Sequence, residues 1–219
     1  MNPIALSYIL LMSSSFIYLL DTLIKYTKTN SPWFDLHCIV NFLIVIFCFN
    51  DVYLCFENPN NSVLIMDENT QIASCLCFCL HLYHTIAYEL KPMDVFHHYL
   101  FIFIATPLYI IYSYKGSALI YFFNSGLPGG IDYMLLSFVK NKKINYMTEK
   151  KINGYLNSYI RMPGGFITSY IILKDGIYFG DALLYSNIIL SGLIFYNSAY
   201  FGKLAIENYV ERKMLCDVN

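Results

Sequence analysis

The chain has 219 residues, of which 57% are hydrophobic and only 13% charged, with a net charge of −1 and a mean hydropathy of +0.49. That balance belongs to a membrane protein and not to a soluble core, and the near-zero charge gives a nucleic-acid role no support. Tyr and Phe, 21 and 17 in number, make up most of an 18% aromatic fraction, as expected where many rings sit at headgroup depth.

A membrane span needs about 20 predominantly apolar residues, and seven segments qualify. The first, 4–23, carries Asp21 near its end and follows only Met1-Asn2-Pro3, with neither a basic n-region nor a small-residue cleavage site, so it reads as a retained anchor. A polar link, 25–31, leads through Pro32-Trp33 to the second segment, 34–56, which Asn50-Asp51 interrupts, so that it either stops early or leans on a partner there. An acidic, Asn-rich loop, 57–69, precedes the third, 71–88, with His81 and His84. Pro92 makes a tight turn into the fourth, 94–114, and Lys115-Gly116 another into the fifth, 117–139. A basic loop, 140–151, separates it from the sixth, 152–173, and the seventh covers 183–204. The fifth and sixth are broken by Leu127-Pro128-Gly129-Gly130 and by Arg161-Met162-Pro163-Gly164-Gly165. Irregular backbone at membrane depth is tolerated only against protein or a wet cavity, so both should line an interior space, the alternative being kinks that serve packing.

Lys and Arg gather on the cytosolic side of a membrane. The links after the odd-numbered segments hold Lys25, Lys28, Lys91, five lysines between 140 and 151, Lys203, Arg212 and Lys213, whereas the other side holds Lys115 and Lys174. Eleven against two places the N-terminus outside and the C-terminus in the cytosol, with the triplet Asn60-Asn61-Ser62 on the outer side. Alternating Cys75, Cys77 and Cys79 point in different directions on a helix and read as small packing residues.

Residues 89–133 concentrate the candidate chemistry. His97-His98 is the only adjacent histidine pair, and Asp94 shares a helix face with both. A carboxylate there would orient an imidazole and raise its basicity, as a general base requires, or would simply cap the helix at its N-terminus. His81 and His84 share a face of the third segment, beside the fourth across the Pro92 turn. Four histidines invite a metal, but membrane di-iron enzymes use many more than the five present, so no metal and no cofactor is expected. His37, beside Asn41, reads as an interhelical hydrogen-bond donor. Asp132 and Arg161 lie at compatible depths after and before the two breaks, and an ion pair between them is expected, to hold the helices together or, as the alternative, to bind a lipid headgroup.

The stretch Asp94-Val-Phe-His97-His98, the apolar helix ending Tyr112-Ser113-Tyr114, and a fifth segment with Asn124-Ser125 and Asp132 together resemble the Lag motif region of TLC-domain proteins, a group that includes the ceramide synthases. Tyr159-Ile160-Arg161-Met162-Pro163 looks like that domain's arginine-bearing penultimate segment. The resemblance covers roughly 33–205 and implies a barrel-like bundle around a lipid-sized cavity, usually in the endoplasmic reticulum, with the histidine pair facing inward. Asn124-Ser125 stands where the synthases carry a second His-Asp pair, and neither residue can act as acid or base. The non-synthase members, implicated in membrane-lipid homeostasis, are therefore the closer kind.

The expectation is an all-α, polytopic membrane protein of about seven transmembrane helices in a TLC-like barrel, with an N-terminal helix and link at 1–32, a membrane core at 33–205 and a cytosolic tail at 206–219. His97, His98 and Asp94 are the candidate catalytic residues, and His81, His84, Asn124, Asp132 and Arg161 the candidate lipid-binding ones. The expected function is lipid or acyl-chain handling. One alternative is an N- or O-acyltransferase in which His97 or His98 deprotonates an acceptor amine or hydroxyl; another is a non-catalytic scaffold. The partners are a lipid or acyl-CoA and the membrane, without nucleic acid, and a homo-oligomer is left open.

Overall fold

The computed structural model describes residues 3–90, 92–106 and 113–218; its elements are helical, and one isolated antiparallel bridge joins Ile65 and Tyr114. Helices α1 (Pro3–Tyr26), α2 (Pro32–Glu57) and α3 (Glu68–Ala87) are followed by α4 (Pro92–His97), which widens into a π-helical stretch, His98–Ala105. Helix α5 (Ser117–Ile120) runs through a second π-helical stretch, Tyr121–Gly126, into α6 (Leu127–Lys140). Helix α7 (Tyr146–Leu156) runs through a third, Asn157–Arg161, into α8 (Met162–Phe179), and α9 (Asp181–Val218) follows.

Local chemistry sets several of these boundaries. Pro32 occupies the first turn of α2, where its missing N–H costs nothing. Asp67 caps α3 by accepting the Thr70 N–H at 2.8 Å, and Asn145 caps α7 by accepting that of Met147 at 2.7 Å. Between α8 and α9, Gly180 takes a positive φ of 71° that side-chain-bearing residues avoid, and its N–H closes onto the Gly176 carbonyl.

Three stretches, Pro3–Tyr26, Pro32–Glu57 and Leu183–Leu215, are long and apolar enough to cross a membrane by length and composition. That is fewer than the seven expected: histidines and hydroxyls dilute α3, π-helical stretches divide the fifth and sixth segments into shorter pieces, and residues 107–112 of the fourth lie outside the described residues. Helix α1 shows the membrane-like arrangement most plainly. Its buried stripe is Ser13, Ile17, Asp21 and Ile24, whereas Leu11, Leu19 and Leu23 on the opposite faces are each more than half exposed. Polar groups turned inward and leucines outward suit a hydrocarbon surround.

Successive segments alternate in direction, as the cross-bundle bonds show. At one end Asn30 donates to the Asn141 side chain, and Ser31 donates to Ser137 at 3.1 Å. At the other, Met66 N–H reaches the Ser113 carbonyl at 3.0 Å, Lys115 N–H that of Leu64 at 2.8 Å, and Lys174 Nζ that of Pro59 at 2.6 Å. Helix α2 lies in the middle, against α1, α3, the second π-helical stretch and α6. It is not interrupted at Asn50-Asp51. Asp51, fully buried, forms an ion pair with Lys115 and accepts the Asp67 N–H at 2.9 Å, so the carboxylate leans on partners while the helix continues.

The expected breaks in the fifth and sixth segments take a different form. The backbone stays helical through Leu127-Pro128-Gly129-Gly130 and Met162-Pro163-Gly164-Gly165, and each is preceded by a π turn. Proline offers no N–H to the residue four before it, and the wider i→i+5 turn absorbs that mismatch. The glycines then let helices approach closely. A Cβ on Gly164 would stand 2.1 Å from the Phe123 ring, and one on Gly165 would stand 1.8 Å from Ser198 Oγ. Small residues at such crossings are how helices pack where lipid removes the hydrophobic drive between them.

Candidate functional site

All five histidines of the chain converge. His37 comes from α2, His81 and His84 from α3, His97 ends α4, and His98 opens the first π-helical stretch. Their ring centroids lie 4.9 Å apart for His84 and His98, 5.3 Å for His81 and His98, and 5.9 Å for both His37–His81 and His97–His98. Trp33 closes the group toward the polar loops, 3.7 Å from both the His37 and the His84 ring. His37, His81, His84 and His98 are buried and His97 is half-buried.

Beside them is an interior cavity of about 120 Å³. His37, His81, His97, Asn124, Tyr133 and Arg161 supply much of its polar wall, and Ile102, Ile120, Leu190, Leu193 and Ile194 supply apolar lining. All three π-helical stretches reach it, through Ile102, Asn124 and Arg161, in keeping with the tendency of such turns to occur at functional sites.

The hydrogen-bond network assigns two tautomers. His81 Nδ1 is 2.7 Å from the Cys77 carbonyl, which only accepts, so Nδ1 carries the proton. Nε2 of this cavity-lining ring is then, in the neutral form, a lone-pair nitrogen. Thr85 spends its one hydroxyl proton on the His81 carbonyl at 2.8 Å, so at the 3.1 Å contact with His98 it is Nδ1–H of His98 that donates. The neutral His98 ring also keeps its lone pair on Nε2. A base held in one tautomer by a backbone carbonyl is the arrangement that proton abstraction needs.

Arg161 ends a polar stripe at four-residue spacing. Asn153 Nδ2 donates to Glu149 Oε1 at 3.4 Å, Asn157 Nδ2 to Asn153 Oδ1 at 2.6 Å, and Arg161 Nη1 to Asn157 Oδ1 at 3.5 Å. Arg161 Nη2 donates to the backbone carbonyl of Asn124 at 3.1 Å. That carbonyl is available because the residue four ahead is Pro128, which has no N–H to offer it. The expected Asp132–Arg161 ion pair does not form. Asp132 accepts from Asn153 Nδ2 at 2.7 Å instead, a nearer donor one helix turn above Asn157, and no carboxylate among the described residues lies within 4.0 Å of the guanidinium.

Of the expected site residues, His81, His97, Asn124 and Arg161 line the cavity, His84 and His98 stand behind it in the histidine group, and Asp132 belongs to the polar stripe. The side chain of Asp94 lies outside the described residues. His37 is a correction. Among the described residues neither of its ring nitrogens has a hydrogen-bond partner, so no interhelical bond of the expected kind is seen; it faces the cavity and packs on Trp33 and on Tyr133, 4.3 Å away. The signal was available in depth. His37 lies just inside one span, His81 and His84 at the end of the next, and His97-His98 just after the following turn, so alternating direction puts all five at one level. Comparison with known protein families, with curated proteins and with solved structures finds no match.

Proposed function

We propose that the chain is a multi-pass membrane protein that binds a lipid or acyl chain in the cavity beside the histidines, and that it handles this lipid in membrane-lipid homeostasis. The observation that carries the reading is the two-sided lining of one partly open space, with imidazole, amide and guanidinium on one part and Ile102, Leu190, Leu193 and Ile194 on another. An amphipathic space between membrane-grade helices matches an amphipathic ligand. At about 120 Å³ it is near the volume of an engineered cavity that holds one benzene, about 150 Å³, so it fits a head group or the end of a chain, with the rest of the lipid along apolar helix faces. Seven spans, a TLC-like bundle, residence in the endoplasmic reticulum and a cytosolic C-terminus are parts of the same proposal, supported by the loop charges and the motif resemblance.

Native mass spectrometry after gentle detergent purification tests it. The wild-type protein retains a defined lipid, and Leu190→Trp, which fills the apolar wall, loses it while circular dichroism and melting temperature hold. An empty wild-type protein would sink the proposal.

A second reading, an acyltransferase, is favoured by one observation, the Nε2 lone pair of His81 at the cavity. That nitrogen would take a proton from an acceptor amine or hydroxyl as its oxygen or nitrogen attacks the thioester carbonyl of acyl-CoA, with the thiol leaving. Labelled acyl-CoA supplied with sphingoid amines and glycerolipids would then give a labelled amide or ester that His81→Ala abolishes without loss of lipid retention. A lipid-binding protein gives no product.

A further inference from the structure

We propose that the cavity grips its ligand through an oxyanion, a phosphate or a carboxylate at the polar end of a lipid, and that Arg161 is the residue that receives it. The proposal rests on the reading of the cavity as a lipid site and names the chemical class that the site selects.

The guanidinium lines the cavity, and no carboxylate among the described residues lies within 4.0 Å of it. It carries five N–H donors, and only two bonds use them, both to neutral oxygens, with the 3.5 Å contact to Asn157 at the weak limit. Its Nε–H is buried without a partner among the described residues. A half-buried guanidinium with a buried, unused Nε–H and no carboxylate in ion-pair contact among the described residues costs free energy to keep. The expected partner, Asp132 on α6, is held by Asn153. The cost makes sense if an anion supplied by a ligand completes the site.

The rest of the geometry prepares the fork. Pro128 frees the Asn124 carbonyl that fixes Nη2, Asn157 steadies Nη1, and the Phe201 ring lies 5.9 Å from the guanidinium carbon as a cation–π backstop. A planar fork held in this way suits two oxygens of one phosphate or carboxylate. His81 and His97 share the same space, and the Nε2 of a neutral His81 becomes a further donor only on protonation.

The test uses the full chain in detergent, stripped of lipid, with four probes: phosphatidic acid, oleic acid, uncharged diacylglycerol and inorganic phosphate. Binding is read by native mass spectrometry and by thermal shift. The expected result is that both anionic lipids bind at least about tenfold more tightly than diacylglycerol. Arg161→Gln should abolish that preference, and Arg161→Lys, which keeps the charge but not the fork, should keep part of it. Equal binding of charged and uncharged lipids by the wild-type protein overturns the oxyanion proposal while leaving the lipid site standing, and this arm needs no variant to fold. Inorganic phosphate bound with no lipid of either kind keeps the oxyanion site and overturns the lipid reading beneath it. If no probe binds, both fall.

Discussion

Two sets of buried polar groups in this protein behave in opposite ways. Asp21 accepts from Lys25, Tyr83 and Tyr88, each at 2.6 Å, and Asp51 holds Lys115 and the Asp67 N–H. These carboxylates join α1 to α3, and α2 to the connections before α3 and α5, and they are surrounded by donors. Around the cavity the reverse holds. Among the described residues His37 has no hydrogen bond at either nitrogen, His84 has none at Nδ1, and Arg161 has none at Nε. In a low-dielectric interior a satisfied polar group fixes a structure, whereas an unsatisfied one costs free energy and is kept for something else. The first set is what holds the helices in place, and the second is what the helices hold.

Substitutions should separate the two sets. Asp51→Ala strands Lys115 in the interior and should cost about 3–5 kcal/mol, read as a lowered midpoint of chemical unfolding in detergent; a loss well under that range would mean the pair is no anchor. Gly165→Val drives a side chain into Ser198, which a Cβ alone would already approach to 1.8 Å. Separating α8 from α9 there should cost about 1–3 kcal/mol and empty the cavity of lipid, and an unchanged melt would show that the crossing is looser than described. His37→Phe removes two unsatisfied nitrogens while keeping a flat ring, so it should leave stability unchanged or raise it by about 1 kcal/mol while weakening ligand retention. A clear destabilisation would move His37 into the first set. Asp132→Asn keeps an oxygen for Asn153 and should change stability by less than about 0.5 kcal/mol; a large loss would restore the ion pair with Arg161.

Much of the fold was legible because hydrophobic runs and turn residues report directly on helix length and direction. The positions of α1, α2 and α9, and the turns at Pro92 and Lys115-Gly116, follow from apolar length and from proline and glycine chemistry. The π turns were not legible. Pro-Gly-Gly marks a fault in the ladder, but whether a helix stops, kinks or widens depends on what can satisfy the freed carbonyl. At Asn124 the answer is Arg161, 37 residues away in the chain. The site was legible in part. His97-His98, His81 and Arg161 stood out as ionisable groups in apolar surroundings, whereas His37 was lost because a lone histidine on a helix says nothing until neighbouring helices bring four more beside it. The Asp132–Arg161 pair failed because compatible depth does not exclude a nearer neutral partner, here Asn153.

The most direct test of the lipid-filled cavity is photocrosslinking in membranes with a lipid carrying a diazirine on its acyl chain, followed by peptide mapping. The account predicts adducts on the inward residues Ile102, Leu190 and Ile194, lost in Leu190→Trp. Adducts confined to outward residues such as Leu11, Leu19 and Phe49, which any membrane helix exposes, would contradict it.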